Sequence, residues 1–144
     1  MKKTTQVSFL LLRIAMGWYF FYAGVSKIFD PQWSAAGYLG GAKTFAPLYS
    51  WFASPANIGW VNILNEWGLA LIGLALVLGI FVRYASFAGI ILMILYYFPS
   101  LDFPYAGSHA YIVDNHIIFI SVFLLFIATQ AGNYFGIDGY LKKR

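Results

Sequence analysis

Five ionisable residues, Arg13, Lys27, Glu66, Asp114 and His116, stand within or at the edge of long apolar runs. Carboxylates and imidazoles take up and release protons, while lysine and arginine attract anions, so such a set can bind a charged ligand or move protons. Each of these groups costs a few kcal/mol inside a bilayer, so each should face the interior of a bundle and find a partner there.

Arg13 and Lys27 are about four helical turns apart, so they share one helix face with Gly17, Phe20 and Gly24. Glycines on that face let a neighbouring backbone or a flat ligand come close, although packing alone also explains them. Further along, Asn62, Glu66 and Gly73 lie on a similar face, with Asn65 and Trp67 beside it. Glu66 is the strongest candidate, because a carboxylate flanked by two asparagines deep in an apolar helix has no easy route to water. The others have two readings each. Lys27 either serves a site or snorkels to headgroups. Asp114 either serves a site or favours the positive N-terminal end of its helix. Arg13 either serves a site or, on the plainer reading, snorkels to the cytoplasmic surface or pairs with a buried carbonyl, and His116 alone reads more readily as a hydrogen-bonded structural histidine.

The elements that position these residues follow from composition. The 144-residue chain is 61% hydrophobic, only 10% charged and 21% aromatic, which is outside the range of soluble domains and suits lipid as solvent. Four apolar stretches, about 6–29, 58–82, 84–98 and 111–131, approach the roughly 20 residues a membrane helix needs. The expected fold is therefore all-α: one domain over 1–144, an integral membrane four-helix bundle. The third stretch is short. The first has a basic start but is too long for the apolar core of a signal peptide, and reads as a retained helix.

Between the first two stretches lies a loop of about thirty residues, too long and too aromatic for a plain linker. Phe45, Leu48, Tyr49 and Phe52 recur in it at helical spacing, which predicts short interfacial helices in an aromatic-rich outer loop. Ser54 and Pro55 read as the N-cap and first position of the second membrane helix. Basic residues at the N-terminus, at Arg83 and at Lys142, Lys143 and Arg144 predict a multi-pass protein of the cell membrane with both termini cytoplasmic. Glu66, Lys27, Asp114, Asn115 and His116 then share one layer in the outer half, with Arg13 deeper. The net charge of +4 sits mainly at the chain ends and implies no nucleic-acid partner. With no cysteine there is no disulfide, thiolate metal site or iron–sulfur cluster, and two histidines seven residues apart make haem a poor fit. No flavin or metal motif is evident.

The first stretch, as Arg13, Gly17, Phe20, Ala23, Gly24 and Lys27, resembles the DoxX/DoxD family of four-helix membrane proteins. Pro31, Trp33, Ser34, Ala35, Ala36, Gly37, Tyr38 and Leu39 look like its D branch, the large subunit of thiosulfate:quinone oxidoreductase. Asn65, Glu66, Trp67, Gly68, Leu69, Gly73, Gly79 and Arg83 are similar to the family's second helix. The resemblance implies a membrane subunit of a quinone-linked oxidoreductase that takes electrons from a reduced sulfur compound such as thiosulfate, beside a small partner subunit or as a homo-oligomer. On that reading Glu66, His116 and Asp114 supply the protons of quinone reduction. Arg13, Gly24, Lys27, Asn62, Asn65 and Trp67 bind substrate or quinone, and Lys27 and Lys43 attract the oxyanion. The alternative is a non-catalytic scaffold or a small-ligand-binding protein of the same family.

Overall fold

The computed structural model describes residues 2–142; Lys143 and Arg144, part of the basic tail used above, lie outside the described residues. The chain forms α1 (Lys3–Ile28), α2 (Ala36–Gly40), α3 (Ala46–Phe52), α4 (Ile58–Leu78), α5 (Val82–Ser100), α6 (Asn115–Thr129), a 3-10 turn (Ala131–Asn133) and α7 (Ile137–Leu141). It is an all-helical membrane protein: α1, α4 and α5 are long and apolar enough to cross a bilayer, while α6 is apolar but has only 15 residues. At 1.5 Å per residue α6 spans about 22 Å, short of a hydrocarbon core of about 30 Å.

Helix ends depart from the expected ones for local reasons. α5 continues to Ser100 with Pro99 inside its last turn; the Leu95 carbonyl that the missing Pro99 N–H leaves free accepts instead from the Tyr49 hydroxyl at 3.0 Å. α6 starts at Asn115 rather than Tyr111, because the preceding segment folds back in bridges from Tyr105 to Asp102 and Tyr111. There the Asp114 side chain accepts from the N–H groups of His116 at 2.9 Å and Ile117 at 3.2 Å, closing the helix N-terminus. At the other end Gln130, with φ 51°, stops it. Ser54 and Pro55 do not open α4; Asn57 occupies its N-cap, and the Ser54 carbonyl accepts from Asn57 and Ile58 in the turn before it.

Three of the four seams in the bundle are made by close helix contact: α1 on α4, α4 on α5 and α5 on α6. Glycine sets the closest. A Cβ at Gly17 would lie 2.8 Å from the Val77 nitrogen, and one at Gly24 2.6 Å from the Glu66 carbonyl oxygen, so only hydrogen fits where α1 crosses α4. Close backbone approach of this kind is how helices associate in lipid, where burial of apolar surface provides no drive. The fourth seam differs. The backbones of α1 and α6 scarcely approach, and the gap is closed by ring contacts of Tyr19 with Phe119 (5.1 Å) and of Phe20 with Phe119 (5.5 Å) and Phe123 (5.3 Å). Phe20 and Phe123 belong to the core with Leu69, Leu76 and Phe126. A second apolar cluster of Ala35, Leu39, Ala42 and Tyr49 seats α2 and α3 on the ends of α4 and α5, as a cap over the loop end of the bundle.

Candidate functional site

Beneath that cap lies a half-open cavity of about 340 Å³ walled by α1, α2, α4, α5 and α6, with Lys27, Trp33, Ser34, Tyr38, Tyr96 and His116 in its wall. Its size falls within the range of small-molecule pockets, about 300–1,000 Å³. One side is built on α6. His116 Nδ1 lies 2.5 Å from Asp114 Oδ2, so the helix cap and the histidine share one carboxylate, and Nε2 is the ring nitrogen left for a ligand. The His116 ring stacks on Tyr96 of α5 at 5.8 Å, and the Tyr96 hydroxyl donates to Asn65 Oδ1 of α4 at 2.6 Å. Across the cavity, Lys27 near the end of α1 donates to the Ala23 carbonyl at 3.0 Å and stands over the Trp33 ring at 5.3 Å, a cation–π geometry.

The cap is tied down over this chamber. Asn62 Oδ1 accepts from the Ala35 N–H at 3.0 Å, Asn62 Nδ2 donates to Ser34 Oγ at 3.2 Å, and the Tyr38 hydroxyl donates to the Tyr96 carbonyl at 2.6 Å. Thr44 Oγ1 donates to the Leu101 carbonyl at 2.7 Å, and Lys43 pairs with Asp102. Burial raises the Tyr38 and Tyr49 phenols above the ordinary tyrosine value, because the low-dielectric cap disfavours phenolate. On the far side of Tyr38 and Tyr96 a smaller, apolar cavity of about 70 Å³ runs between α4 and α5.

The residues singled out by type and spacing are thus distributed. Lys27 and His116 face the cavity, with Asp114 behind His116 and Asn65 behind Tyr96. Asn62 holds the cap. Glu66 is half-buried outside the cavity wall, and its charge acts on Lys27 from α4. Gly24 is filled by the α4 backbone. Trp67 is 52% exposed on another face, beside an apolar groove that includes Phe21 and Leu71. Lys43, expected to draw anions, pairs with Asp102 on the exposed surface of the cap.

Arg13 sits at the opposite end, 1% exposed. Its guanidinium donates to the carbonyls of Ala131 (2.9 Å), Tyr134 (3.1 Å) and Phe135 (3.2 Å), and it feels the charge of Asp138. Asp138 in turn accepts from the N–H groups of Phe81 (2.8 Å) and Val82 (3.0 Å), closing the start of α5. Arg13 therefore joins α1, the α4–α5 turn and the C-terminal segment.

Composition and spacing did not single out Asp138, Tyr96 or the cap residues Trp33 and Ser34 as wall or lock. Tyr96 carried one usable signal, a phenol at the end of an otherwise apolar helix that needs a hydrogen-bond partner. No group of three or more potential metal ligands occurs among the described residues. The model of a family described as DoxX matches residues 8–100, from α1 through α5, and leaves Asp114 and His116 beyond its end. No curated protein and no solved structure matches the chain.

Proposed function

The chain belongs to the DoxX family of membrane proteins, and from that premise we propose that it is a subunit of a quinone-linked oxidoreductase whose acceptor site is the cavity between Lys27 and His116. The observation that carries the reading is the juxtaposition of a carboxylate-backed imidazole and a lysine across one chamber with aromatic walls. A quinone needs a flat, largely apolar slot, a cation or donor at one oxygen, and a proton source at the other. Trp33, Tyr96 and Phe119 suit the ring, Lys27 the first oxygen and His116 Nε2 the second. Asp114 holds the histidine tautomer and stabilises its protonated form, and Glu66 supports the charge of Lys27.

The electron donor in this proposal is a sulfur oxyanion such as thiosulfate. Two thiosulfate ions lose one electron each and join through a new S–S bond as tetrathionate, while the quinone takes up those two electrons and two protons to become the quinol. Thiosulfate brings no protons, so the protein and water must deliver both. The chain has no cysteine to relay electrons, so transfer runs directly between bound substrates or through a small partner subunit. In this proposal both termini are cytoplasmic and the cap lies outside, an orientation that the basic ends favour.

The test is reduction of a quinone analogue by thiosulfate in proteoliposomes, with and without candidate partner subunits. His116→Gln should lower kcat and Lys27→Met should raise KM. If the purified protein neither binds nor reduces the analogue under any of these conditions, the reading fails. The scaffold alternative is favoured by one observation, that Asn62, Asn65 and Asp114 all spend hydrogen bonds inside the protein. It expects Glu66→Gln to leave function untouched.

A further inference from the structure

We infer that a lipid-dissolved ligand reaches the cavity sideways from the bilayer, through the seam between α1 and α6, and that Tyr19 and Phe119 gate this entrance. The route deepens the acceptor-site reading, and rests on it for the chemistry of the ligand but not for the path.

Two approaches to the cavity differ in how they are closed. From the loop end the cap is fixed by hydrogen bonds at Ser34, Ala35, Tyr38 and Thr44 and by the Lys43–Asp102 pair. Opening that side means breaking several polar contacts at once. Around the bundle, the α1–α4 seam is backbone on backbone at Gly17, Gly24 and Gly73, and α5 meets α6 where Gly89 lies under the Phe123 ring. Neither can part without moving whole helices.

The α1–α6 seam has no such contact, only rings. Phe20 and Phe123 are fully buried and form its floor. Above them Tyr19, 53% exposed on a membrane helix, and Phe119 both line the cavity. Exposed side chains turn on a picosecond to nanosecond scale, and in lipid an acyl chain takes up the contacts a displaced ring gives away, so no apolar surface is hydrated. A flat, uncharged, apolar molecule carrying hydrogen-bond acceptors fits such a door. An anion does not, because it would have to cross hydrocarbon to reach it.

The native chain has no cysteine, which makes access directly measurable. In proteoliposomes, Ala23→Cys places one thiol in the cavity wall, with Met93→Cys as a second position should the first not fold. The probes are N-pyrenylmaleimide, which partitions into lipid, and a trimethylammonium methanethiosulfonate, which stays in water. The lipophilic probe should react faster than the charged one. Tyr19→Ala and Phe119→Ala should each raise its rate by about two- to tenfold, the worth of one aromatic contact, while leaving the charged probe unchanged. Leu71→Ala, exposed on another face, should alter neither rate. A lipophilic rate insensitive to both seam variants, or a charged rate that rises equally, overturns the route. If labelling behaves as expected and no quinone is reduced, the acceptor chemistry is wrong and the entrance stands; if quinone is reduced and labelling is insensitive, the reverse holds.

Discussion

Replacing Arg13 with methionine should melt the terminal end of the protein while sparing the cavity. Methionine roughly fills the aliphatic volume but abandons the carbonyls of Ala131, Tyr134 and Phe135 and leaves Asp138 without its compensating charge. Hydrogen bonds from a charged donor contribute about 1.5–3 kcal/mol each, and three of them would sum to more than the net effect, because the variant is also relieved of burying a guanidinium. Breaking a buried charged network by removing one partner costs about 3–5 kcal/mol. At about 2–4 °C per kcal/mol for a chain of this size, Tm should fall by about 6–20 °C. Arg13→Lys should lie between, since one ammonium cannot span three carbonyls. The assay is tryptophan-fluorescence melting in detergent, paired with amide hydrogen exchange, which should speed up across residues 131–141. Affinity for a quinone analogue, measured below the melting range, should be unchanged. A melting point within about 2 °C of the parent with unaltered exchange would refute the lock, and a selective loss of affinity would return Arg13 to the binding site.

Gly24→Ala should force α1 from α4, since its Cβ would lie 2.6 Å from the Glu66 carbonyl oxygen; overpacking of this kind costs about 1–3 kcal/mol, read as a lower Tm, whereas Gly37→Ala, in open space, should do little. Asp114→Ala should cost about 1 kcal/mol through the lost helix cap and release the His116 tautomer, visible as a changed imidazole signal in nitrogen NMR; Asp114→Asn, which can still cap, should restore most of the stability but not the signal. Alkaline titration followed by tyrosinate absorbance should show Tyr38 and Tyr49 ionising above the ordinary value of 10.0. Because burial raises their folded-state values, the stability they contribute is complete below the unfolded value and is lost as pH rises through the folded one. A Tyr38→Phe, Tyr49→Phe variant should therefore lose less stability than the parent in that window.

The membrane helices were legible because a spanning segment must satisfy its own backbone and show lipid an apolar surface over a fixed length, a signal local enough to read one stretch at a time. Contacts show what Asp114 and Arg13 do in the fold: Asp114 caps α6 and also holds His116, and Arg13 meets carbonyls of the C-terminal segment. Periodicity also located α3, whose Tyr49 turns inward while Leu48 stays out. What escaped depends on chain folding back from a distance. Asp138 lies in a short polar tail and gains its role only by reaching Phe81 and Val82. Ser54 looks like a cap by type, yet the turn it starts places Asn57 there instead. Glu66 is isolated in an apolar run as the sequence suggests, but it lies outside the cavity wall and acts on Lys27 only through its charge. Its place follows from how α4 packs on α1 at Gly17, Gly24 and Gly73, which no single helix displays.

The reach of Arg13 also has a consequence for biogenesis. Its first carbonyl partner, Ala131, is 118 residues further along the chain. At about 5–20 residues per second, synthesis takes about 6–24 s to supply it. Throughout that interval α1 has left the ribosome with a cation and nothing of its own to satisfy it. The nascent helix must wait at the membrane surface, hold its arginine among headgroups, or be sheltered by the insertion machinery until the last helix arrives. A chain arrested soon after α1, before α4 is made, should therefore stay extractable by alkaline carbonate, whereas the same chain carrying Arg13→Leu should resist extraction.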